Sequence, residues 1–62
     1  MQKQAELIEI QRRILSLRKT AEELKQSAAD FPALARNTAR ILASIKMLEL
    51  NVSDVVEAGL SG

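Results

Sequence analysis

The stretch LIEIQRRILSLRKTAEELKQSAADFPAL, residues 7–34, decides the fold. Through it Leu7, Ile10, Ile14, Leu17, Ala21, Leu24, Ala28 and Phe31 recur three and four residues apart without a slip. That spacing holds one stripe of a helix toward a partner, as the a and d positions of a heptad do. Strong helix formers fill the stretch, and neither Gly nor Pro occurs before Pro32, so a helix is expected over residues 3–29. With Leu7 at position a, Ile8 and Leu15 fall at b and widen the apolar face in the N-terminal half. Nearer the turn the face narrows to Ala21, Leu24 and Ala28, and small residues let helices approach closely. The first helix therefore predicts a bundle that is tight at the turn and wide at its open end.

The break lies at Ala29-Asp30-Phe31-Pro32. Asp30 is a good N-cap, Pro32 suits a first helical turn, and Pro32 pushes Phe31 out of helical geometry. The expected outcome is a turn at 30–32 with Phe31 plugging the turn end of the core. A second helix is expected over residues 33–50, with its seam at Leu34, Thr38, Ile41, Ile45 and Leu48. Val52 and Val55 extend that seam if the helix continues, and Leu42 and Ala35 widen it. Met47 and Leu50 lie on the opposite side, so this end is apolar nearly all round. Asn51 and Ser53 each suit the end or restart of a helix, and the closing residues 51–62 read as a short final turn or a fraying tail. One kinked helix is the alternative, because Ala35, Thr38, Leu42 and Ile45 continue the first heptad in phase.

Composition narrows the rest. Sixty-two residues make one domain, 47% hydrophobic and 27% charged, with Phe31 as the sole aromatic. That is too apolar for a disordered chain. A lone hairpin of this size buries little surface, and small chains escape through disulfides, metals or association. Cysteine and histidine are both absent, which leaves association. The fold expected is an all-α antiparallel hairpin that self-associates, a dimeric four-helix bundle being the simplest form. Its interface is expected at Ile8, Leu15, Ala21, Ala28, Leu42, Met47, Leu50, Val52 and Val56. On that reading Leu17→Asp or Ile45→Asp unfolds the protein, and Leu50→Asp changes the oligomer.

Chemistry finds little footing. Without Cys or His, Ser16, Ser27, Ser44 and Ser53 lack the usual base, and Gly59 and Gly62, the only glycines, form no phosphate loop. Glu6 with Glu9, and Glu22 with Glu23, lack the histidine that bundle metal sites add. No catalytic residue, metal or cofactor is expected. Glu9 precedes Arg12 and Arg13 by three and four residues, a spacing suited to intrahelical pairing. The first ten residues carry charge and no signal-peptide core, and no apolar run approaches the ~20 residues of a membrane span. The expected compartment is the cytoplasm. A mixed-sign polar face without bulky anchors argues against a membrane surface.

Net charge is +1, but residues 1–46 hold nine bases against five acids, whereas residues 47–62 hold three acids and no base. Arg12, Arg13, Arg18, Lys19, Lys25, Arg36 and Arg40 are the cations available to a nucleic acid, with Arg12 and Lys19 sharing an outer face. In layout, two helices with a turn near residue 30, the chain is similar to the Rop-type plasmid copy-number regulators, hairpin dimers that bind paired RNA loops. The resemblance is one of architecture, and it carries no binding residue over. The primary expectation is a scaffold, adaptor or accessory subunit acting on itself or on a protein partner. The alternative is a Rop-like nucleic-acid-binding regulator using a basic helix face.

Overall fold

The computed structural model describes residues 2–61, which form two helices, α1 (Gln2–Ser27) and α2 (Pro32–Ser61), packed against each other as a hairpin. The kinked single helix is thereby excluded. The hairpin is elongated, with principal extents of 47 by 15 by 10 Å.

The turn is built from backbone hydrogen bonds. The Ala28 amide still donates to the Leu24 carbonyl, and the Phe31 amide donates to the Ala28 carbonyl. The Ala35 amide donates to the Phe31 carbonyl, so Phe31 is the N-cap and Pro32 the first helical residue. Proline fits there because its fixed φ is helical and its missing N–H is not needed. Asp30 therefore lies one position outside the cap expected of it. Phe31 does not plug the core either, being 57% exposed, because the N-cap position directs it away from the seam.

α1 ends two residues earlier than its formers suggested, at Ser27, whose hydroxyl donates to the Glu23 carbonyl. α2 runs on past Leu50 through Asn51 and Ser53 without interruption to Ser61. Neither polar residue ends the helix, because Val52 between them is buried and Val56 packs on the same cluster. Gly62, the last residue of the expected tail, lies outside the described residues.

The contact between the helices is narrower than either apolar stripe. On α1 the row Leu7, Ile14, Ala21 and Ala28 faces α2, with Leu7 half-buried and the others buried. On α2 the stripe is Ala35, Thr38, Leu42, Ile45, Glu49, Val52 and Val56, alternately three and four residues apart. Leu34, Ile41, Leu48 and Val55, expected in the seam, are exposed instead. The seam sits one residue further on, where Ala35 and Thr38 meet the small residues of α1. This row continues the heptad phase of α1 through the turn. Small side chains (Ala21, Ala28, Ala35, Thr38) line the turn end and larger ones the open end, as the first helix predicted.

Thr38 is the buried polar residue of the seam, and its Oγ1 donates to the Leu34 carbonyl at 2.7 Å. The hydroxyl is thus satisfied within its own helix. Among the described residues no large side chain is fully buried. A hairpin whose core is Ile14, Ala21, Ile45 and Val52, with Leu7, Leu42 and Val56 partly buried around it, leaves most of its apolar surface in water.

Candidate interaction surface

Successive helical residues are about 100° apart, so the exposed rows can be placed around each buried one. On α1, Ile10, Leu17 and Leu24 lie three residues beyond Leu7, Ile14 and Ala21, turned about 60° to one side. On α2, Leu34, Ile41, Leu48 and Val55 are turned about 70° from the centre of the buried stripe, in the same sense. The helices are antiparallel, and equal turns in the same sense therefore bring both rows to one face of the hairpin. These seven side chains are 42 to 55% exposed. Phe31 and Leu34 carry this apolar surface to the turn.

The opposite face is mixed, carrying the charged pair between the helices together with exposed Ile8, Leu15 and Leu50. Arg18 of α1 and Glu49 of α2 pair across it, Nη1 to Oε2, at 2.8 Å. Beside them a shallow groove of about 320 Å³ is lined by Gln11, Leu15, Glu49 and Ser53 over Ile14 and Val52. A second depression, nearer the turn, is lined by Glu22, Lys25, Gln26 and Leu42. The helical register sets Lys46 on this face and turns Arg12, Lys19 and Arg36 toward it. Glu9 pairs with Arg12 at 3.7 Å and with Arg13 at 3.1 Å, and the Arg13 Nε–H donates to the Glu9 carboxylate. Arg13 borders the apolar face, and Arg40 lies on the outer side of α2.

The residues expected at an oligomer interface divide into two groups. Ala21, Ala28 and Val52 are buried between the two helices of one chain, and Leu42 and Val56 are half-buried against them. Ile8, Leu15, Met47 and Leu50 are exposed, and the register puts Ile8, Leu15 and Leu50 toward the mixed side and Met47 at the back of α2. A further apolar face is built from Ile10, Leu17, Leu24, Leu34, Ile41, Leu48 and Val55. These residues were visible in the sequence as half of each stripe. What it lacked was a signal showing which half the chain uses on itself.

Comparison with protein-family models, with curated proteins and with solved structures finds no match to this chain. Among the described residues no helix is long and apolar enough to cross a membrane. No group of three or more Asp or Glu side chains among them is placed to hold a metal ion.

Proposed function

We propose that this chain is a small self-associating helical protein that works through protein–protein contact as a scaffold, adaptor or accessory subunit. Two hairpins pair through their apolar faces and complete a four-helix bundle. The observation that carries this reading is the single face on which seven large aliphatic side chains stand about half exposed. Soluble monomers seldom leave so large a contiguous apolar patch in water.

Size supports a second copy as the occupant. The whole flank of the hairpin, 47 by 15 Å, is on the order of 700 Å², which bounds the apolar face from above and falls a little under the ~800 Å² that each partner contributes to a standard stable interface. Covering it also supplies the burial that the hairpin lacks, since among the described residues no large side chain is fully buried in one copy. Sedimentation equilibrium tests the reading directly. The expected mass is twice the 6.8 kDa of one chain, and a mass of one chain would remove the proposal.

A second reading rests on the mixed face. Arg12, Arg18, Lys19, Lys25, Arg36 and Lys46 lie on or toward it, against Glu22, Glu49 and Glu57. A bundle formed through the apolar faces would display two such faces outward. Binding to structured RNA or duplex DNA that weakens steeply with salt, and is lost in Arg12→Glu/Lys19→Glu, would favour a nucleic-acid-binding regulator. Indifference to both would leave the protein-contact reading alone.

A further inference from the structure

Resting on the self-association proposed above, we infer that Phe31 is the anchor by which one copy of the hairpin grips the other. The chain gives up helix-capping stability to hold the ring there.

Position 31 is the N-cap of α2, since the Ala35 amide donates to its carbonyl at 2.9 Å. Ser, Thr, Asp and Asn suit such a position, because a short side-chain oxygen accepts from the second or third amide of the helix. A phenyl ring offers the Ala33 and Leu34 amides no acceptor, and Asp30 stands one residue too early to be the cap. The ring gains little from the seam either, being 57% exposed. It is also the sole aromatic side chain of the protein. A residue that breaks a local rule with no gain inside the fold points to a use outside it.

Its placement shows which use. Ile10, Leu17, Leu24 and Phe31 recur every seven residues, so the ring ends the exposed aliphatic row of α1. Leu34, 55% exposed, stands beside it and begins the corresponding row of α2. The Phe31 amide donates to the Ala28 carbonyl while its own carbonyl accepts from Ala35, so the backbone is held on both sides of the ring. Only two side-chain torsions are left to order on contact, which keeps the entropic cost of covering the ring low.

The size of the face gives an anchor its importance. A flank of about 700 Å² is small for a stable pair, and affinity then follows the quality of a few well-covered residues more than the area. The cover comes from the second copy. Because α1 and α2 both run the length of the hairpin, a copy laid along the face covers its turn end whichever way round it lies.

Phe31→Ser and Phe31→Leu, each made in the full chain, test the assignment by sedimentation over a range of chain concentrations. Covering the exposed half of the ring buries on the order of 100 Å² per copy, so Phe31→Ser should raise the dissociation constant about 10- to 100-fold. Phe31→Leu keeps an apolar side chain and should fall between that variant and the wild type. Serine is at the same time the better cap. At concentrations where both proteins sediment as single chains, Phe31→Ser should therefore be at least as helical as the wild type by circular dichroism. An unchanged dissociation constant, or a loss of helix in single-chain Phe31→Ser, overturns the anchor and leaves self-association standing. A wild type of one-chain mass at every concentration instead overturns the self-association beneath it.

Discussion

Arg18 of α1 and Glu49 of α2 meet at 2.8 Å across the hairpin, on the side opposite Leu17 and Leu48. Glu49 belongs by register to the buried stripe of α2, yet its carboxylate reaches the edge and finds a guanidinium. The hairpin thus has one side bridged by an ion pair and another that presents the two aliphatic rows.

The Arg18–Glu49 pair is partly solvated, the two side chains retaining 44% and 28% of their exposure. Its worth should be about 0.2–1 kcal/mol, as for other exposed pairs. A double-mutant cycle with Arg18→Ala and Glu49→Ala, read by urea denaturation at one fixed chain concentration, should return a coupling in that range. It should shrink in high salt. A coupling of zero would show that the pair contributes nothing to holding the helices together.

Ile45 is 4% exposed and packs with Ile14 between the helices. Ile45→Ala should cost about 2–5 kcal/mol, the range for truncating a buried aliphatic. Ile8→Ala, at a side chain 56% exposed on the other side, should change stability by no more than about 0.5 kcal/mol. Equal losses at the two positions would contradict the assigned core.

Thr38→Val removes a hydroxyl that donates to the Leu34 carbonyl, an acceptor the helix already uses. No buried donor is stranded by the change, and a methyl group replaces a polar one in the seam. Thermal denaturation should show a stability unchanged or raised by up to about 1 kcal/mol. A clear loss would mean that the hydroxyl fixes the turn end in some further way.

Much of this was legible in the chain. The three–four spacing from Leu7 announced the first helix, and Pro32 announced the reversal. Ala21 and Ala28 announced the close approach near the turn. The choice between rows was harder to read. On α1 the rows Leu7–Ile14–Ala21–Ala28 and Ile10–Leu17–Leu24 share one period and are both apolar, so periodicity cannot say which faces its own chain. On α2 the bulkier row, Leu34–Ile41–Leu48–Val55, looks like core, and the true stripe is disguised by Ala35, Thr38 and Glu49. Small and polar residues won the seam because the helices lie close there and because Glu49 can reach Arg18. A bulky row was thereby left outside the seam, while Ile8 and Leu15, beside the first stripe, and Met47 and Leu50, behind the second, stood out in the sequence because they widen the apolar surface.

Sedimentation equilibrium on three proteins tests the central claim most directly. Leu17→Asp/Leu48→Asp places charges in the middle of the apolar face; Leu17, expected in the core from the seam spacing, is 53% exposed in one copy and Leu48 42%, so the change should break the pairing and spare the hairpin. Leu50→Asp places one outside it. The wild type and Leu50→Asp should both sediment at twice 6.8 kDa, and the double variant at one chain mass. A wild type at one chain mass, or a double variant that keeps the doubled mass, would contradict the account.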